Sequence, residues 1–193
     1  MDTQWPRWEV FKQDTPHKPH QAVGSVHAAD PEHALLTARN IFARRPQAVS
    51  MWVARAEDIY AWTKEEIAQS QLPQVERDRA YNPPSSPRKY LVFRKTSHKR
   101  SMTFVDHVGE VEARTPEEAL AQAQTTFSDA EALAWWVVPA DKVYQTDPSP
   151  DTVESWFAPA KDKTYKQQQF YATVGSHISK HKLGRGVEDD ECC

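Results

Sequence analysis

Glycine is scarce in this chain, five residues in 193, and no nucleotide-cradling pattern is built from them. Neither G-x-G-x-x-G nor G-x-x-x-x-G-K-[ST] occurs, so the usual phosphate loops are excluded. Cysteine is scarcer still: Cys192 and Cys193 are adjacent, and such a pair cannot staple a fold through an ordinary disulfide to each other. No apolar run approaches the roughly 18 residues of a membrane span, and the first residues lack the basic-then-apolar pattern of a secretory signal. The expected setting is therefore soluble and cytoplasmic. Strong charge is also missing. A formal net charge of −3 gives no electrostatic reason for nucleic acid or an anionic membrane to be the main partner. Catalytic motifs are absent in turn: there is no G-x-S-x-G elbow, and no Glu-x-x-His, the spacing by which helical di-iron carboxylate sites aim two ligands inward.

What the chain does have is one stretch twice. Val23-Gly24-Ser25-Val26-His27-Ala28-Ala29-Asp30-Pro31-Glu32-His33-Ala34-Leu35 returns as Val108-Gly109-Glu110-Val111-Glu112-Ala113-Arg114-Thr115-Pro116-Glu117-Glu118-Ala119-Leu120. The offset is 108 − 23 = 85; it holds through Ala38/Ala123 and Phe42/Phe127 and becomes 136 − 52 = 84 at Trp52/Trp136. Upstream, Trp8-Glu9-Val10-Phe11 faces Tyr90-Leu91-Val92-Phe93 at 93 − 11 = 82, so one loop is longer in the second copy. A repeat of this length decides domain organisation before any single motif does. Each unit of about 60 residues is marginal alone, because small domains bury too little of their surface, so the two are expected to pack on each other.

Each copy reads β-β-α-β. Extended apolar runs at Trp8 to Phe11 and Ala22 to Ala28 form a hairpin around a polar loop. Val23 and Val26 differ by three and fall on opposite faces of a regular strand; a bulge at Gly24 would restore one face. Asp30-Pro31 and Thr115-Pro116 start helices, the second as a capping box with Glu118. The helical core stripe is Ala34, Leu35, Ala38, Ile41 and Phe42, matched by Ala119, Leu120, Ala123 and Phe127. Third strands follow at 49–53 and 133–137, with Trp52 and Trp136 as the largest core side chains. The expected fold is α+β: two β-β-α-β repeats with antiparallel sheets packed as an intrachain pseudo-dimer, plus an extended aromatic C-terminal tail. The corresponding segments are a first repeat at 1–62, a proline-rich linker at 63–87, a second repeat at 88–146 and the tail at 147–193. Fourteen prolines and a mean hydropathy of −0.76 fit long polar connections around modest cores.

Candidate chemistry is thin. His17 and His20 lie three apart, and His177 and His181 four apart, but neither pair has carboxylates or cysteines at ligand spacing; both read as exposed histidines. The densest basic cluster, Arg94-Lys95 with His98-Lys99-Arg100, reads as an exposed hairpin tip. No catalytic, cofactor-binding or metal-ligating residue is assigned. The tail carries Trp156, Phe157, Pro159, Tyr165, Phe170 and Tyr171, too many large apolar groups to sit free in solvent. Either they dock on the chain's own units or they anchor another protein.

Trp-x-Val-Phe, Val-Gly-x-Val-x-Ala-x-x-Pro-Glu-x-Ala-Leu, Met51-Trp52-Val53, Ile59-Tyr60 and the Trp156-Phe157-Ala158-Pro159-Ala160 tail together resemble the phenylacetic acid degradation protein B family. That resemblance implies a non-catalytic subunit of a multicomponent phenylacetyl-CoA epoxidase, helping to assemble its oxygenase components. Di-iron, FAD and iron–sulfur centres would belong to partner subunits only. The implied partners are the di-iron catalytic oxygenase subunit and its helical structural sibling, with Trp156, Phe157, Pro159, Tyr165, Phe170 and Tyr171 as candidate contacts. The fused pair would replace a homodimer, and the segment from Trp62 to Tyr81 stands where the first repeat's own tail is missing. Two other readings compete: a regulator sensing an acyl-CoA between the two units, and an independent metalloenzyme using His177 and His181.

Overall fold

The computed structural model describes residues 4–43, 48–69, 86–98, 104–129 and 131–161. The first repeat supplies β1 (Arg7–Gln13), β2 (Gln21–His27), α1 (Pro31–Phe42) and β3 (Ser50–Arg55), followed by β4 (Tyr60–Thr63) and α2 (Lys64–Ala68). The second supplies β5 (Arg88–Lys95), β6 (Asp106–Ala113), α3 (Pro116–Thr126) and β7 (Ala134–Pro139), followed by β8 (Val143–Gln145) and α4 (Pro150–Lys161). Single 3₁₀ turns at Ala56–Asp58 and Ala140–Lys142 lead into β4 and β8.

Helix starts follow the caps. Asp30 Oδ1 accepts from the His33 N–H at 2.8 Å, and Thr115 Oγ1 from the Glu118 N–H at 3.1 Å. The Glu118 carboxylate, however, accepts from the Arg114 N–H at 2.9 Å, one residue upstream of the reciprocal bond that a capping box requires. The complete box is at Thr63 and Glu66, which opens α2 inside the expected linker.

The hairpins carry the bulge that Gly24 suggested. Between β1 and β2 the register slips after Val10↔Gly24 to Phe11↔Ala22, leaving Val23 unopposed, and β5 and β6 repeat this after Val92↔Gly109. Val23 and Val26 thereby share the face under α1. Gly24 has φ +144° and Gly109 φ +154°, and a Cβ would lie 2.9 Å and 2.6 Å from the ring tips of Phe42 and Phe127. Each glycine thus serves twice: it takes a backbone shape that L-residues avoid, and it leaves the seat for a phenylalanine at its helix's C-terminal end.

All eight strands form one antiparallel sheet in the order β4-β7-β5-β6-β2-β1-β3-β8. β3 and β4 stand six places apart in that order, which is about 29 Å across a flat sheet. The five residue steps from Arg55 to Tyr60 reach at most about 17 Å. The sheet must therefore roll up, bringing its two ends together, and β7 and β8 impose the same condition. Reciprocal exchange is the result: β4 of the first repeat pairs with β7 of the second, and β8 of the second with β3 of the first.

Pseudo-two-fold symmetry is visible in the pairings. The joint between β2 and β6 is the single pair Gln21↔Asp106, which are repeat equivalents because 106 − 21 = 85. Tyr60↔Val137 and Val53↔Tyr144 are equivalent pairs, both related by 84. Three cores result. α1 covers Trp8, Val10 and Val53; α3 covers Tyr90, Val92 and Val137. The third lies between the repeats and includes Phe11, Leu91, Phe93, Val105 and Val138.

Two core expectations change. Trp52 and Trp136 are half-buried beside the inter-repeat core, whereas the fully buried indoles are Trp8 and Trp62. Ile41 is 54% exposed, because the α1 stripe that meets the sheet ends at Ala34, Leu35, Ala38 and Phe42 and position 41 is rotated past it.

Candidate functional site

The contact between the repeats is filled with side chains. Phe11 and Phe93, equivalents across the pseudo-axis, stack with centroids 4.2 Å apart, and Trp136 meets Phe11 edge-on at 6.3 Å. Beside them lies a histidine cluster at the β2/β6 joint. The His20 ring, expected to be exposed, is buried: it stacks on Trp52 at 3.5 Å, and its Nε2 lies 2.9 Å from Ser50 Oγ. His107 meets Trp52 edge-on at 5.2 Å and tilts against Phe93 at 5.2 Å. Backbone bonds through the same residues join the halves, His107 N–H to His20 O at 2.8 Å and Ala22 N–H to Val105 O at 2.9 Å.

Electrostatics follow burial. Desolvation, with a smaller repulsion from His107, lowers the His20 imidazole to about 3. His107 is pushed down by burial too, against opposing effects of Glu110 and the Gly109 backbone. Glu9, on the inner face of β1, is pushed up by burial against the pull of Arg7, its partner at 3.1 Å. Two imidazoles, both pushed toward the neutral form by burial, pack on the single Trp52 indole where the repeats meet. Among the described residues, no three His, Cys, Asp or Glu side chains gather in a metal-binding group.

The tail residues separate. Trp156, Phe157 and Pro159 lie on α4, so this part of the tail is helical rather than extended. Phe157 and Ala160 are buried in the first repeat's core, with Val153 and Trp156 packed beside them. Arg39 of α1 donates to Trp156 O at 2.9 Å and holds its guanidinium 5.0 Å from the Trp156 ring centroid. For Phe157, docking on the chain's own unit is what the structure brings about, and its ring is not offered to a partner. Trp156 is half-buried and Pro159 exposed. Tyr165, Phe170 and Tyr171, like His177, His181, Cys192 and Cys193, lie outside the described residues.

The second repeat is covered from the first repeat's side. Trp62 is buried in its core and Ile67 of α2 packs against that core, so the segment after β4 does there what α4 does for the first repeat. Thr63-x-x-Glu66 is the local sequence signal that starts this helix. The basic cluster divides: Arg94 and Lys95 are buried rather than at an exposed tip, His98 is exposed, and Lys99 and Arg100 lie outside the described residues. Arg94 donates to Phe127 O at 2.6 Å and to both carboxylate oxygens of Asp129 at 2.7 and 3.1 Å, closing the end of α3.

Among the described residues, no helix is long and apolar enough to cross a membrane. No solved structure matches the chain. The B component of the 1,2-phenylacetyl-CoA epoxidase of Escherichia coli (strain K12) is 44% identical over 62 residues, which are 32% of this chain and 65% of that protein. The chain thus spans about 65% of the length of this curated relative. Those figures put the relative at about 95 residues, half the length of the present chain and the size of one repeat with a tail. A family model described as phenylacetic acid degradation B matches twice, at residues 4–85 and 87–178, one match on each repeat. With both matches falling on the two halves of a strand-exchanged pseudo-dimer, this chain belongs to the phenylacetic acid degradation B (PaaB) family in tandem-duplicated form.

Proposed function

We propose that this chain is a non-catalytic bridging subunit of a phenylacetyl-CoA epoxidase complex, holding helical oxygenase subunits in register for aerobic phenylacetate breakdown. The observation that carries the reading is the double family match on a pseudo-dimer most of whose repeated residues serve packing. Gly24/Gly109 seat Phe42/Phe127, Phe11/Phe93 stack on each other, and Ala34/Ala119 and Ala38/Ala123 let the helices approach the sheet. Packing residues repeated on both halves suit a rigid platform. On this reading the di-iron chemistry belongs to the catalytic oxygenase subunit and the flavin and iron–sulfur chemistry to a reductase. This chain binds and orients the catalytic subunit and its helical structural sibling.

An acyl-CoA sensor between the units has less support, because Phe11, Phe93, Trp136 and Val138 fill that space and a ligand would have to displace them. Co-expression with the helical subunits, followed by size-exclusion chromatography at near-physiological salt, tests the bridging role. A stable co-eluting assembly is expected. Separate elution of all components would end it.

A further inference from the structure

We propose that the outer stripe of α1, formed by His33, Leu36, Thr37, Asn40 and Ile41 and flanked by Trp5, docks one helix of a partner oxygenase subunit. The proposal rests on the bridging reading and adds to it a surface and a count. These five positions follow i, i+3, i+4, i+7, i+8, the spacing of one continuous helix face, and that face is separate from the core stripe Ala34, Leu35, Ala38 and Phe42. None of the five carries a carboxylate, ammonium or guanidinium group. Leu36 is 44% exposed and Ile41 54%, and Trp5, 54% exposed, sets its ring edge-on to His33 at 4.9 Å.

The duplication supplies an internal control. At the offset of 85 the same positions on α3 are Glu118, Ala121, Gln122, Thr125 and Thr126, and at the upstream offset of 82 Pro87 stands where the first repeat has Trp5. Both helices lie on the one sheet, each with an oxygen side chain as its N-cap, Asp30 or Thr115, and each with a glycine–phenylalanine seat. The fold therefore does not require Leu36, Ile41 or Trp5, since an ordinary solvated face does the structural job in the other half. Exposed large apolar residues concentrated on one of two equivalent faces mark a contact.

The occupant is defined by the stripe. A helix fits the i, i+3, i+4 ridge pattern, and it would continue the helix-on-helix layer that α4 already begins on the other flank of α1 through Val153, Trp156 and Phe157. Its contacting face must be apolar and uncharged, because a charge placed against Leu36 and Ile41 would lose water without gaining a partner. A second copy of the chain is the poorer fit. The self-association natural to one unit is already satisfied inside the molecule by strand exchange and the Phe11/Phe93 core. One stripe per chain means one partner helix, where a symmetric homodimer would take two.

The test compares Leu36→Glu/Ile41→Glu with the symmetry control Ala121→Glu/Thr126→Glu, both on exposed positions of the full chain. Affinity for the purified helical oxygenase subunits is measured by calorimetry, with melting curves and light scattering on each variant. The expected result is binding at least tenfold weaker for the α1 pair, within twofold of wild type for the α3 pair, and an unchanged Tm for both. Equal loss in both variants, or none in either, overturns the proposal. If wild type itself does not bind the subunits, the bridging reading falls and takes this one with it; if L36E/I41E still binds, only the docking surface falls. A wild-type dimer that L36E/I41E converts to monomer would identify a second copy as the occupant. A lowered Tm without loss of binding would identify residues 162–193 of the same chain. Either outcome refutes the assignment.

Discussion

Lowering the pH from 7.5 to 5.0 should weaken the molecule by about 2 kcal/mol through His20 alone. His20 titrates near 6.5 in an unfolded chain and near 3 in the folded one, because its ring is buried on Trp52. Between those values the unfolded chain holds the extra proton, so stability is full above pH 6.5 and falls as pH drops toward 3. At pH 5.0 the unfolded imidazole is almost fully protonated and the folded one almost wholly neutral, and the difference amounts to about 2 kcal/mol. Shifting the folded value by one unit hardly alters that figure, since pH 5.0 stays above it. For a chain of this size the change corresponds to a drop of about 4–8 °C in Tm. His107, also lowered, adds to the loss, while Glu9, raised by burial, opposes it, because its folded form gains stability as it protonates. Urea melts of wild type and His20→Phe at both pH values isolate the His20 share. Phenylalanine keeps the stack on Trp52 and loses the Ser50 contact, a pH-independent cost of about 1 kcal/mol. The variant should show about 2 kcal/mol less dependence on pH than wild type. Identical pH dependence in the two proteins would refute the argument.

Gly109→Ala should cost about 1–3 kcal/mol and Gly24→Ala somewhat less, since the new methyl meets Phe127 at 2.6 Å and Phe42 at 2.9 Å on positive-φ backbone. Denaturant melts check this, and adding Phe127→Leu should recover part of the Gly109→Ala loss. Phe157→Ala should cost about 3 kcal/mol and release α4 from α1, read as lost helical ellipticity together with faster amide exchange in Val153 to Ala160. Cleavage at a protease site inserted within residues 70–85 should leave two fragments that co-elute without denaturant, because β4 and β8 are paired across the halves. Fragments that separate would rule out the exchange.

Much of this protein was legible from residue order alone. A duplicated Val-Gly-x-Val with a Pro-capped helix behind it specifies two β-β-α-β units, because caps, glycines at bulges and helical spacing act within a few residues of one another. Pairing of the units follows from their small size. Three-dimensional arrangement decided the rest. No local rule says that β4 leaves its own repeat for β7, since that choice depends on how far a rolled sheet brings its ends together. Arg94 and His20 read as surface groups on composition, yet one closes α3 through Asp129 and the other lies flat on Trp52; only distant partners make burial of such groups tolerable. Ile41 and Phe42 are sequence neighbours of equal hydrophobicity, and rotation about the helix axis sends one to the core and the other to water. The sequence alone determined the units and their kinship, because those are written in short-range patterns. The strand exchange, the buried histidine and the bare stripe on α1 were decided by tertiary structure, because each depends on which remote surface arrives to cover a side chain.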